Sequence, residues 1–456
     1  MAAPPGDGAG LGGQMLSMSV ILNGYLYVIG GCVDYTCSGT TPGSTDVTGN
    51  VSYVSINSSG QLTAPGSCGG TSYGAWCVDS TNQVNGTTGV AASGYAVFNN
   101  RIYIVGGLTG AAITTNIYYN STNTDGSLAG AWSTVDMTTA GITEDIFYTY
   151  AYARANPASA GTNPGNLYVF GGCGNNTGGA GCGGGDYETE VYKCNITTTG
   201  SVSGCTISGQ TQIDSDPDTG GSQGLGIHSG TVYANYIYLI GGFSSTESDK
   251  DEVMYAKFDN SNNVVESDGA GTAAWSESPN TLSIGRRRGF AFGYNGHIYA
   301  VGGYDAGGGG VIPFIEWSKI NVSDGSIGAF TTSSVTINQR WGLSMAVSNS
   351  YAYVIGGCDV GSSPSGCSSF EASIQTFQLY NNDSGAVQAM TAQSDDTFAA
   401  DTDRWGASSA ILNGYLYVAG GCISATDCTS ATSNVQYAVI SAADGTVGSW
   451  SSATNG

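Results

Sequence analysis

The chain has 456 residues, 73 of them glycine, with 11 Lys or Arg against 34 Asp or Glu and a net charge of −23. That acidity argues against nucleic acid and anionic membrane surfaces as partners, because phosphate-rich surfaces select clustered cations. Hydrophobic residues (40%) and aromatics (10%) suffice for a packed core, so the low charge does not signal disorder.

Residues 1–13 are small and Gly-rich and read as an N-terminal extension free to contact another subunit. They lack the basic and apolar segments of a secretory leader, so the sequence reads as a processed chain or a fragment that begins after its targeting segment. Residues 15–29 are apolar, but Asn23 and Gly24 interrupt them, and the stretch is too short to span a membrane.

From residue 14 onward a unit recurs seven times. Each contains a tyrosine, two further residues and a glycine pair, beginning at Tyr27, Tyr103, Tyr168, Tyr238, Tyr299, Tyr353 and Tyr417. Successive pairs are 76, 65, 70, 61, 54 and 64 residues apart, a fixed unit with variable loops. The units span about 14–82, 89–135, 145–210, 225–278, 286–333, 339–392 and 403–453. Each carries four strand signals. An apolar run is followed by a tight turn such as Asn23-Gly24, Asn99-Asn100, Asn295-Gly296 or Asn413-Gly414, whose residues tolerate positive φ. The tyrosine strand is apolar on both faces. A third strand carries Tyr53, Tyr118, Tyr192, Tyr255, Trp317, Phe377 or Tyr437, and a fourth often holds Trp76, Trp132, Trp275, Phe330 or Trp450. The expected fold is all-β: a seven-bladed β-propeller of four-stranded antiparallel blades, a ring that removes long free edges. No strand is shared between the first and last units.

These units resemble kelch repeats over residues 14–456, in the Gly pair after an aromatic-bearing strand and the later tryptophan. They depart from the pattern in their length, in a Cys after several Gly pairs, and in lacking the fourth-strand Trp in the third and sixth units.

Twelve cysteines fall into six local couples: Cys32 with Cys37, Cys68 with Cys77, Cys173 with Cys182, Cys194 with Cys205, Cys358 with Cys367 and Cys422 with Cys428. An even set of this kind reads as disulfides in an oxidising, extracellular setting, and no C-x-x-C supports zinc. Sequons at Asn50, Asn57, Asn85, Asn120, Asn175, Asn195, Asn321 and Asn382 fit a glycoprotein. Five of them (Asn57, Asn120, Asn195, Asn321, Asn382) are expected in the hairpin between third and fourth strands, on the rim. Asn also simply suits such a turn.

Strand order places the loops after the Gly pairs and between units on one face of the disc, and the short turns on the other. The first face carries the Cys-bearing loops and is the expected binding face. Arg286, Arg340 and Arg404 each lie sixteen residues before their Gly pair, where three guanidinium groups around a channel mouth could hold a carboxylate or sulfate. The alternative is a structural cation paired with carboxylates such as Asp401 or Asp403. Asp214, Asp216 and Asp218 alternate in an inter-unit loop and suit the oxygen shell of calcium, or else a solvated turn. No other cofactor is expected.

Enzymatic readings have less to rest on. Galactose-oxidase-like propellers hold copper with two histidines, and here His228 and His297 are expected on opposite faces. Sialidase-like propellers carry an Asp box in an outer hairpin, and the Asp444-to-Trp450 and Asp125-to-Trp132 spacings differ from each other. The chain is therefore expected to be non-catalytic: a subunit of an extracellular filament or surface coat that self-associates head to tail, or else a monomeric glycan- or protein-binding adhesion module.

Overall fold

A computed structural model describes residues 16–32, 37, 47–109, 112–174, 187–213, 224–244, 249–265, 275–308, 310–360, 367, 369–371, 373–380, 384–389, 404–423, 431–432 and 434–452. They form seven antiparallel blades in a ring, with almost no helix. Blade 1 contains Met18–Leu22, Tyr25–Ile29, Val51–Ile56 and Trp76–Asp79, with Thr71–Tyr73 added outside. Blade 7 contains Ser408–Leu412, Tyr415–Ala419, Val435–Val439 and Ser451–Ser452. The blades between repeat this order, each strand paired with the next in sequence. In blade 4 the fourth position is shared by Val264–Val265 and Ser276–Glu277, both paired with Val253–Phe258.

The second strands are buried on both faces because blades stack on them from either side. Apolar clusters accordingly lie between blades. One joins Leu26, Val28 and Trp76 of blade 1 to Tyr417 and Tyr437 of blade 7, which closes the ring without a shared strand.

Two further joints repeat around the disc. On the inside, the second glycine of the first six pairs donates its N–H to the next blade: Gly31 to Val90 O, Gly107 to Ile146 O, Gly172 to Leu225 O, Gly242 to Arg286 O, Gly303 to Arg340 O and Gly357 to Arg404 O, at 2.7 to 3.0 Å. On the outside, the repeated tyrosine donates its phenol to the next blade's outer hairpin. Tyr27 bonds Gly126 O, Tyr103 bonds Gly200 O, Tyr168 bonds Asn262 O, Tyr238 bonds Gly325 O, Tyr299 bonds Gly385 O and Tyr353 bonds Gly445 O. The seventh bond, Tyr417 to Gly60 O, runs from the last blade to the first. Six of these seven hairpins place glycine at the accepting position, and blade 4 places Asn262 there at φ 61. Gly445, for example, has φ +72, and a Cβ there would lie 2.3 Å from the Tyr351 ring.

Above the blades on the loop-bearing face sits a second apolar layer. In blades 2 to 7 the residue after the Gly pair bridges the entry of its own blade and a returning strand, as at Cys173 with Phe147 and Tyr187, or Cys422 with Trp405 and Ala431. Cys32, Leu108, Phe147, Tyr304, Trp341, Cys358 and Trp405 belong to this one cluster. Disulfides Cys32–Cys37 and Cys358–Cys367 brace the layer, whereas Cys68–Cys77 and Cys194–Cys205 tie outer strands. Cys173 and Cys422 are also disulfide-bonded, and their expected partners, Cys182 and Cys428, lie outside the described residues. Such a set belongs to an oxidising compartment. Among the described residues, no helix is long and apolar enough to cross a membrane.

Candidate functional site

The first strands of neighbouring blades surround the axis, and where they begin on the loop-bearing face the chain narrows the channel. One residue per blade sits there: Leu16, Ala92, Tyr148, Ile227, Arg288, Gly342 and Gly406. All seven are left-handed, with φ between 50° and 66°. Their backbones form a belt. The N–H of Ala92 donates to Leu16 O, Tyr148 to Ala92 O, Arg288 to Ile227 O, Gly342 to Arg288 O and Gly406 to Gly342 O, at 2.8 to 3.5 Å. The left-handed conformation turns the N–H of these five residues toward the preceding blade; β-branched Ile227 shares it, accepting from Arg288, at a strain of about 1 kcal/mol.

Glycine at two stations leaves room. A cavity of about 260 Å³ opens beside Gly342 and Gly406, walled by Leu16, Tyr148, Ile227, Arg288 and Trp405. A Cβ on Gly342 would lie 2.2 Å from Trp405 Nε1, so the indole takes the space a side chain would fill. The Arg288 guanidinium lies 5.2 Å from the Trp341 ring centre. Burial pulls Arg288 below its ordinary range; it pushes the Tyr148 phenol up, a rise the nearby Arg288 charge opposes. Beside it Arg287 is engaged with Asp249 (3.1 Å) and stacks on Phe243 (4.2 Å). An apolar cup with one cation can hold a side chain or a small anionic group.

The three repeat-aligned arginines are elsewhere, which corrects their expected place at the mouth. Arg286, Arg340 and Arg404 are 3%, 0% and 0% exposed, turned into the blades. Each donates Nη1 to the carbonyl of the first glycine in its own pair: Gly302 (3.1 Å), Gly356 (3.1 Å) and Gly420 (2.9 Å). Arg286 also bonds Glu316; Arg340 bonds Ser373 O, Ser373 Oγ and Gln375 Oε1; Arg404 bonds Asn434 O. Their donors satisfy carbonyls that the tight Gly turn leaves exposed inside the protein. The cation at the mouth is Arg288, two residues beyond Arg286.

Asp214, Asp216 and Asp218 lie outside the described residues, as do Asp401, Asp403, Asn175, Asn382 and the 1–13 extension. Two sequons need correction as glycan sites: Asn50 and Asn120 are buried, with Asn50 accepting from Gln83 and Asn120 donating to Gly130 O. Asn120 and Asn195 also lie within third strands, not in the hairpin beyond. Asn57 and Asn321 do cap hairpins, accepting from the N–H of Ser59 and Ser323. Asn85 bonds Gly89 O.

The histidines serve separate joints. His297 is buried against Gly385 of the next blade, with Trp317 edge-on at 5.7 Å. His228 packs between Gly171 and Gly242, where burial lowers its pKa to about 4. Among the described residues, no three His, Cys, Asp or Glu side chains converge as a metal site. The aspartates of the box-like hairpins, Asp125, Asp324 and Asp444, each accept from the N–H and hydroxyl of the residue two further on, which holds their carboxyls below the usual range.

No protein-family model matches the chain. Kelch domain-containing protein 3 of Rattus norvegicus and of Mus musculus are each 36% identical to it over 81 residues, 17% of this chain. That stretch is 20% of each relative, so the chain spans about a fifth of the length of the curated proteins it matches. Seven four-stranded blades with a Gly pair in every second-strand exit make the chain a seven-bladed β-propeller, and part of it is similar in sequence to kelch domain-containing proteins.

Proposed function

We propose that the chain is a non-catalytic, extracellular interaction module that assembles head to tail with its own copies into a filament or surface coat. The observation that carries this reading is the asymmetry of the disc. One face ends in tight turns, while the other is floored by a continuous, disulfide-braced apolar layer. Two unlike faces on one rigid body suit a heterologous contact, which propagates as an open array. A kelch-type relative fits a protein-interaction role, and disulfides fit an extracellular one. Glycans on Asn57 and Asn321 would coat the rim and leave the faces clear. Electron microscopy of unconcentrated native material should show fibres or sheets with a propeller-sized repeat; discs that stay dispersed at high concentration would remove the assembly reading.

The cavity at the mouth supports a second reading, a monomeric adhesion module gripping a partner's side chain or sugar beside Arg288. Binding on a glycan or protein array that is lost in Arg288→Ala would favour it. Stoichiometric copper in elemental analysis would overturn the non-catalytic assignment under either reading.

A further inference from the structure

On the short-turn face, the residue two before each repeated tyrosine lies against the outer hairpin of the next blade. Tyr25 covers Gly126, Tyr236 covers Gly325, His297 covers Gly385, Tyr351 covers Gly445 and Tyr415 covers Gly60. In blade 3 the station is Asn166, which accepts from Asn262. Blade 2 alone uses a cation there: Arg101 lies flat on Gly200 of blade 3. Its planar guanidinium does the packing of a ring, yet it also adds a charge and five N–H donors that packing does not need.

The Arg101 side chain has no hydrogen-bond or ion-pair partner among the described residues, and it opens onto a cavity of about 260 Å³ between blades 2 and 3. Asn99, Ser121, Thr197 and Thr198 share its wall, with little apolar surface. Asn100 is engaged within the protein, bonding Thr122 O and Thr122 Oγ1, and Thr197 Oγ1 bonds Thr199 and Ser201, so Arg101, the Asn99 amide and the Ser121 and Thr198 hydroxyls remain as the groups able to bind outward.

We propose that this cavity binds one acidic sugar ring, a hexuronate. Its carboxylate would meet the Arg101 fork in a bidentate pair, and its hydroxyls the amide and hydroxyl walls. The volume is below that of a drug-sized pocket, which limits the occupant to one ring. The site stands apart from the channel mouth, and it is present in a single copy of the chain.

Calorimetric titration of the full chain with glucuronate, glucose and acetate tests it. Glucuronate should saturate at least about tenfold more tightly than either, because only it brings both carboxylate and hydroxyls. Arg101→Tyr restores the ring found in blades 1, 4, 6 and 7; it should keep the thermal midpoint and lose glucuronate by about tenfold or more. Arg101→Lys should fall between, keeping charge without the fork. Should the tyrosine variant misfold, Arg101→Gln carries the same test. Glucuronate binding no tighter than glucose, or unchanged in Arg101→Tyr or Arg101→Gln, overturns the proposal. Acetate binding as tightly as glucuronate overturns the sugar.

Discussion

At the inner joint, where each Gly pair meets the following blade, blades 2 to 4 bury Val90, Ile146 and Leu225, and blades 5 to 7 bury Arg286, Arg340 and Arg404 at the same station. The backbone bond is the same in both halves of the ring; the side chain is not. The first glycine's carbonyl explains the difference. In blades 5 to 7 an arginine donates to it, whereas in blade 2 the Ser93 hydroxyl bonds Gly106 O at 2.8 Å. A buried carbonyl needs a donor, and the fold has found two ways to supply it. Recurrence of a cation in three blades therefore reflects a need of the fold, while the cation facing the channel occurs once.

Exchanging the two solutions gives the largest expected effect. Leu225 packs among Val191, Ile213 and Leu239. Leu225→Arg should cost about 4 kcal/mol, read as a sharp loss of folded yield or of the urea midpoint, because it forces a charge into an apolar cluster. Arg340→Leu, the reverse exchange, should cost less, about 2–3 kcal/mol, through the carbonyls of Gly356 and Ser373 left without donors. A neutral Arg340→Leu would break the comparison and return the arginines to candidacy as a ligand site.

Acid should separate the halves as well. His228 sits in the apolar half at the joint of blades 3 and 4, where burial holds its pKa at about 4 against an ordinary 6.5. The folded state thus binds fewer protons than the unfolded state between these values. Its contribution is complete above pH 6.5 and is lost as pH falls toward 4, about 3 kcal/mol in all. Blades 1 to 3 carry Ser17, Ser93 and Thr149 at this station, so His228→Ser is a fitting replacement. Thermal midpoints taken across this range should fall with pH in the parent and flatten in His228→Ser. An unchanged slope would show that the acid response lies elsewhere.

Much of the fold was legible because its determinants are side chains that repeat. Tyrosine, the Gly pair, the hairpin Asn-Gly turns and the neighbouring cysteines mark the strands and their order directly. The site was not legible for the opposite reason. The belt at the channel mouth is a shared backbone conformation built from Leu16, Ala92, Tyr148, Ile227, Arg288, Gly342 and Gly406, which have no chemistry in common. Its one sequence trace is position: in six blades the residue lies fourteen before its first glycine, as 30 minus 16 or 302 minus 288. Alignment by residue type favours Arg286, Arg340 and Arg404 instead, because burial cannot be read from a charged residue's identity. Sequons mislead similarly at Asn50 and Asn120, where the triplet is present but the amide is inside the blade.

The outer joint offers the complementary test, since there all seven blades use one solution. Each repeated tyrosine gives one neutral hydrogen bond to the next blade, so Tyr353→Phe should cost about 1 kcal/mol. Tyr417→Phe removes the bond that joins the last blade to the first and should cost no more, because that joint is built from the same side chains as the others. A several-fold larger loss for Tyr417→Phe would show that ring closure is the weak joint and that the blades are not equivalent. Alkaline titration checks the set together. Burial raises all seven phenols well above their usual 10.0. Stability is therefore complete below pH 10 and declines as pH rises further, since the unfolded chain releases those protons first. Ultraviolet titration should show the exposed tyrosines ionising reversibly, with the buried set appearing only as the propeller opens; Tyr417→Phe should shift that opening no further than Tyr353→Phe does.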